Sequence, residues 1–207
     1  MNLHRSETNT QWDSVDEKSW NLWQHLAAST KGVVTPGNLI TFAGLFMVLY
    51  GLLCIVSGNL WFGLFAIVMG RVCDLLDGLA AEATGTKSSL GVLFDAGADK
   101  IAAILTLVTI GILAIIPWPL LVVFLLPHLL IPIIIYSKRR QGAVTHPSRS
   151  GKLSMAALWV GVICFLLNNA MAGTQSNALL VIAYIMTIFA TVSGFYAVFR
   201  YFENPAK

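Results

Sequence analysis

Four aspartates, Asp74, Asp77, Asp95 and Asp99, stand within the stretch from Cys73 to Lys100 of a chain that is otherwise strongly apolar. The first two are three residues apart and the last two four apart, so on helices each pair occupies one face, with Cβ atoms roughly 5–6 Å from each other. An ionised Asp near the middle of a bilayer costs about 2.5–3.5 kcal/mol on insertion scales, so four of them cost roughly 10 kcal/mol before their mutual repulsion. A compensating cation is required. Arg71 and Lys100 are the basic residues on the same helical segments, too few to neutralise four carboxylates at close range. Hard divalent ions with all-oxygen shells fit better, and Mg²⁺ in particular is held by one or two carboxylates plus substrate phosphates. The pattern predicts a two-metal phosphoryl-transfer site.

Two glycines frame the aspartates, Gly78 after the first pair and Gly91 before the second. With no side chain, each lets a ligand or a neighbouring backbone come close; small residues also let membrane helices pack tightly. Taken whole, the run reads Asp, two residues, Asp-Gly, two residues, Ala, nine residues, Gly, three residues, Asp, three residues, Asp. It resembles the signature of the CDP-alcohol phosphatidyltransferases, integral membrane enzymes that make phospholipids from a CDP-linked lipid and an alcohol. Asp74, Asp77, Gly78, Ala81, Gly91, Asp95 and Asp99 all fall at that family's spacing.

The resemblance implies metal-dependent transfer of a phosphatidyl group from CDP-diacylglycerol to an alcohol, with release of CMP. It implies two divalent cations, Mg²⁺ (or Mn²⁺), held by Asp74, Asp77, Asp95 and Asp99, with Asp99 as general base, and a homodimer. The physical reading alone says that one carboxylate near the metals can take the proton. For the CDP group the resemblance points to Asp74, Gly78, Ala81 and Gly91, and to Asn38 and Thr41 at the start of the first span. One position departs: the family usually carries Arg directly after the Ala, and this chain has Glu82. If that Arg helps to hold an anionic acceptor, Glu82 argues against the usual acceptor, or against activity. Alternatively Glu82 sits at a helix end paired with Lys87, a surface contact worth about 0–1 kcal/mol.

The elements that must position these residues lie in a bilayer. Of 207 residues, 57% are hydrophobic and 11% charged, and the mean hydropathy is +0.74; a soluble domain of this length could not hide so much apolar surface. The reading is an all-α integral membrane protein with six transmembrane helices, preceded by an interfacial amphipathic helix. In that first helix Trp12, Val15, Leu22, Trp23 and Leu26 recur at helical spacing, with charged residues on other faces. The expected organisation is a cytoplasmic segment over 1–34, a six-helix membrane domain over 35–202 and a tail over 203–207. The polar opening stretch does not match a short cleavable signal peptide. Cys54, Cys73 and Cys164 match no zinc or redox spacing and read as buried free thiols.

Thr35, Pro36, Gly37 and Asn38 open the first span, apolar from Leu39 to Val56. Pro and Asn belong at a helix start, so capping and nucleotide contact are both open for Asn38. Ser57 to Asn59 make a turn, the second span runs from Leu60 into the first aspartate pair, and Gly85 to Ser89 form a short connection. The third span follows from about Val92 to Ile116. Both pairs then reach the same membrane face. A fourth span runs from Leu120 to Tyr136, with Pro127 and Pro132 expected to kink it and His128 as a lone polar residue. The fifth runs from Leu153 to about Met171 and the sixth from about Ala178 to Phe199.

Between the fourth and fifth spans Lys138, Arg139, Arg140, Arg149 and Lys152 occur with no acidic residue. The first three set orientation by the positive-inside rule. The later part, Pro147 to Lys152 followed by Leu153 and Ser154, looks like a segment of the phosphatidylglycerophosphate and cardiolipin synthase branches, which makes Arg149 and Lys152 candidates for an acceptor or headgroup phosphate. Loops after the first, third and fifth spans carry no Lys or Arg, whereas the intervening segments and both ends do. This places both termini and the active site on the cytoplasmic side of the inner or plasma membrane.

Glycerol 3-phosphate is the first expectation for the small anionic acceptor, with inositol phosphate or phosphatidylglycerol as alternatives; no nucleic acid is expected. A divalent cation transporter is the competing class, although that would place ligands near the midplane in two related halves, which this chain lacks. An inactive family member that keeps the metal site is the third reading.

Overall fold

The computed structural model describes residues 19–140, 149–171 and 177–203. Among the described residues all regular secondary structure beyond a turn is helical, in seven α-helices: α1 (Leu22–Ser29), α2 (Pro36–Val56), α3 (Leu60–Ala83), α4 (Ser89–Ile112), α5 (Trp118–Arg140), α6 (Arg149–Ala170) and α7 (Asn177–Glu203). Four are long and apolar enough to cross a bilayer: Pro36–Val56, Trp118–Ser137, Arg149–Ala170 and Asn177–Arg200. Helices α3 and α4 have 24 residues each, a length of about 36 Å that suffices for a span. Their charge sets them apart, because α3 carries Arg71, Asp74, Asp77 and Glu82, and α4 carries Asp95, Asp99 and Lys100.

The chain forms two compact units, Met1–Gly51 with Phe65–Ala102, and Leu52–Leu64 with Ala103–Lys207. In the first, α1 differs from the expected helix over Trp12 to Leu26. It begins at Leu22 because Asn21 and Gln24 form a reciprocal capping box, and it continues to Ser29. Residues 12–18 of the expected helix lie outside the described residues. Gln24 and Ala27 are its buried positions, while Leu22 is exposed.

Helix α2 starts where its cap dictates. Thr35 Oγ1 accepts from the Asn38 amide (3.1 Å), and Pro36, with no N–H to lose, takes the first helical position. From there Gly37, Thr41, Gly44 and Val48 recur at helical spacing. A Cβ on Gly44 would stand 2.9 Å from the carbonyl oxygen of Gly70, and one on Gly70 would stand 2.7 Å from that of Gly44. Gly37 meets Ala81 and the Asp77 carbonyl in the same way. Small residues on both helices thus bring the α2 and α3 backbones together, and Thr41 lies between the two contact points. At the end of α3, Gly85 adopts φ +67° and the Thr86 amide donates to Ala81 O (2.9 Å), closing the helix. Ser88 then caps α4 by accepting from the Gly91 amide (3.0 Å).

In the second unit α6 packs on α7. Gly161 lies against Ala183 and Thr187, Phe165 meets Tyr184 edge-on at 5.0 Å between ring centroids, and Ser154 Oγ donates to Ala190 O (2.6 Å). Phe124, Leu158, Val162, Phe165 and Leu166 are fully buried. Helix α5 runs as one helix through Pro127 and Pro132, and His128 is buried within it. Cys54, Cys73 and Cys164 are free. The expected loop over 141–148, the loop over 172–176 and the tail over 204–207 lie outside the described residues, as do the side chains of Lys138, Arg139 and Arg140.

Candidate active site

Helices α3 and α4 carry Asp74, Asp77 and Asp95 to one place, where a carboxylate oxygen from each lies within 4.8 Å of the others. Asp77 is the most enclosed, 5% exposed, and Asp74 and Asp95 are half-buried. Its Oδ2 accepts from Thr41 Oγ1 (2.6 Å), so the α2–α3 glycine seam fixes the carboxylate as well as the backbone. Like charges about 4 Å apart repel by about 4 kcal/mol at an effective dielectric constant near 20. Such a cluster calls for a cation, and its donors are all hard oxygens, the set that suits a divalent ion. The residues fit the metal.

Asp99 is tied differently. Its Oδ1 accepts from Nη1 of Arg71 (2.5 Å), and Nη2 of the same guanidinium pairs with Oδ1 of Asp74 (2.5 Å). One planar fork therefore links α3 to α4 and orients two of the four carboxylates. Counting charges in the sequence sets Arg71 aside as too little counter-charge. Its placement three residues before Asp74, on the same helical face, is the signal for its pairing with that carboxylate; its reach to Asp99 has no counterpart in the spacing.

Next to the carboxylates is a cavity of about 110 Å³, lined by Asn38, Thr41, Asp77, Gly78, Ala81, Gly91 and Asp95, together with Thr35, Gly37, Thr86, Lys87, Ser88 and Val92. Asp74 and Arg71 line a smaller neighbouring recess that shares Thr41. Among the described residues a Cβ on Gly78 would meet nothing within 4 Å, so helix packing does not require this glycine; it opens onto the cavity. Gly91 is close to Asn38 and Ser88. Asn38 staples the chain before α2, donating from Nδ2 to Gly32 O (3.0 Å) and Val33 O (2.9 Å). It also lines the cavity, whereas the cap of α2 is Thr35 and not Asn38. Thr86, Lys87 and Ser88 sit in what reads in the sequence as a plain connection.

Glu82 is 65% exposed and its Oε2 pairs with Lys87 Nζ (2.9 Å). In the second unit, Arg149 and Lys152 are exposed and one helical turn apart at the start of α6; Pro147 lies outside the described residues.

Helices able to span a bilayer, and carboxylates gathered on two others, define a class of protein: integral to the membrane, with an acidic site for a cation. The chain belongs to the CDP-alcohol phosphatidyltransferase family, whose model matches residues 34–192. No curated protein is a significant match to the chain. Members are membrane-embedded, divalent-cation-dependent transferases that use CDP-linked alcohols. The chain is thus an enzyme of phospholipid synthesis that transfers a phosphatidyl group.

Proposed function

We propose that the chain transfers the phosphatidyl group of CDP-diacylglycerol to glycerol 3-phosphate and releases CMP. The observation that carries this reading is the cluster of Asp74, Asp77 and Asp95 on the edge of a cavity that Gly78 and Gly91 keep open. These carboxylates, with Asp99, would hold two divalent cations, Mg²⁺ or Mn²⁺, which supply charge neutralisation at the diphosphate. Asn38, Thr41, Gly78, Ala81 and Gly91 line the space for the CDP group. Thr41 holds the Asp77 carboxylate in place through its 2.6 Å hydrogen bond.

In the transfer, the acceptor hydroxyl oxygen bonds to the lipid-linked phosphorus and the bond from that phosphorus to the CMP oxygen breaks. The hydroxyl proton passes to the carboxylate of Asp99, and CMP leaves with the electron pair. Arg71 orients Asp99 against Asp74, which is what a base needs to meet the hydroxyl in line. Arg149 and Lys152, on one face of α6, bind the acceptor phosphate. They match the phosphatidylglycerophosphate synthase-like branch. Glu82 occupies the place of the family's usual Arg, and its exposed pairing with Lys87 supports a surface position that leaves acceptor binding to Arg149 and Lys152.

The same reading makes α3 and α4 spans, six in all, within a membrane domain over 35–202 that is flanked by the segment 1–34 and the tail 203–207. Both termini and the site face the cytoplasm, and the enzyme is a homodimer. The test is CMP release by the protein in lipid with CDP-diacylglycerol and Mg²⁺ across a panel of acceptors. Release with glycerol 3-phosphate, abolished by EDTA and restored by Mg²⁺, is expected. Release with inositol phosphate or phosphatidylglycerol alone would reassign the acceptor. Silence across the panel, with metal-dependent binding of the CDP-lipid intact, would overturn the transfer.

A further inference from the structure

The cavity has two ends of different character. Asp77 stands six positions before Ala83, the last residue of α3, and Asp95 six positions after Ser89, the first of α4, so both aspartates lie about 9 Å along their helices from the connection between them. At the acidic end the chemistry suits a diphosphate and its cations. At the other end the lining residues are Thr86, Lys87 and Ser88. Thr86 and Ser88 are buried, and Lys87 is the one cationic side chain among the lining residues.

Lys87 is not an anion trap. Its Nζ is 2.9 Å from Oε2 of Glu82, which cancels its charge but occupies one of the three hydrogens of the ammonium. What remains is a directional donor in a net-neutral setting. Such a group suits an uncharged acceptor better than a phosphate. The rise of about 9 Å along each helix is comparable with the span from the diphosphate of a nucleotide to its base. Resting on the assignment of the acids to the diphosphate, we propose that Lys87 reads the base of the CDP-linked substrate, donating to the ring nitrogen and carbonyl that cytosine offers as acceptors. Glu82 is the positioning residue that holds the ammonium at the rim. Uracil carries an N–H at that ring position, so Lys87 favours cytosine.

The test is equilibrium binding of CDP, UDP and pyrophosphate, each with Mg²⁺, to the full-length protein in nanodiscs. Lys87→Met should weaken CDP by about tenfold, the scale of one lost hydrogen bond to a charged donor. It should narrow the preference for CDP over UDP and leave pyrophosphate unchanged; Lys87→Arg should recover part of the CDP affinity. The pyrophosphate arm doubles as the control for an intact site. Unchanged CDP affinity in Lys87→Met would overturn the proposal. So would equal weakening of CDP and pyrophosphate, which would place Lys87 at the phosphates. Failure of the underlying assignment looks different, since the unmutated protein would then bind neither CDP nor pyrophosphate.

Discussion

Two helix seams in this chain are built on the same principle and do different things. In the first unit Gly44 and Gly70 bring α2 and α3 into backbone contact; in the second, Gly161 brings α6 against Ala183 and Thr187 of α7. Each pair of helices is also joined by a buried hydroxyl. On α2 the hydroxyl is Thr41, and its partner is the carboxylate of Asp77. On α6 it is Ser154, and its partner is the carbonyl of Ala190. Close packing is therefore the common scaffold, and function depends on whether the hydroxyl meets an ionisable side chain or a backbone oxygen. A carboxylate held in place can hold a cation; a satisfied carbonyl can only hold a helix.

The sharpest way to test this contrast is to remove the carboxylate. Asp77→Asn keeps the shape and should lower CMP release by about 10³-fold, the upper range for losing one group that stabilises charge in the transition state. Helical circular dichroism should stay unchanged. Residual activity within tenfold of the parent would remove Asp77 from the site.

Next come paired glycine substitutions. Gly70→Leu and Gly161→Leu both force a side chain against backbone, and each should destabilise the protein by about 1–3 kcal/mol. Only Gly70→Leu should also cost about 10²-fold in kcat, because it displaces α3 and with it Asp74 and Asp77. Thermal unfolding and CMP release, measured on both variants, check the contrast. Equal losses of activity would mean that the α6–α7 seam positions the chemistry too. Thr41→Val then isolates the hydroxyl: its loss should weaken Mg²⁺ activation by about tenfold or more, the range for a group that orients a metal ligand, with a smaller effect on stability.

The sequence made much of this legible, for unequal reasons. Hydropathy and breakers locate the six long helices to within a few residues, because the apolar runs are long and Gly58, Gly85 and Pro117 interrupt them. The spacing of Asp74, Asp77, Gly78, Asp95 and Asp99 announces the site, because helical periodicity puts such residues on shared faces. Contacts between helices stayed hidden. Nothing in the order of residues says that Arg71 spans from Asp74 to Asp99, or that Thr41 aims at Asp77 rather than at a ligand. The boundary at Leu22 is not legible in the Trp and Leu periodicity, which continues through Asn21, whereas the chain makes a capping box there with Gln24. Lys87 was invisible as a lining residue, since a lysine in a polar connection ordinarily reads as solubility. Glu82 was open between pocket and surface, and its exposure and its pairing with Lys87 are facts of three dimensions.

The smallest expected effect is the most specific to the comparison. Ser154→Ala removes a buried donor and leaves the Ala190 carbonyl without that hydroxyl, in a helix where the carbonyl also serves the backbone ladder. The loss should be about 1 kcal/mol, the net worth of an ordinary hydrogen bond, and it should appear as a lower unfolding midpoint. CMP release per folded molecule should not change, since the bond ends on backbone and touches no ionisable group. The matched pair is Thr41→Val, where a bond of the same length ends on Asp77. If Ser154→Ala lowers turnover as much as Thr41→Val does, the α6–α7 seam has a part in catalysis that its chemistry does not declare, and the identity of the hydroxyl's partner does not divide function from scaffold.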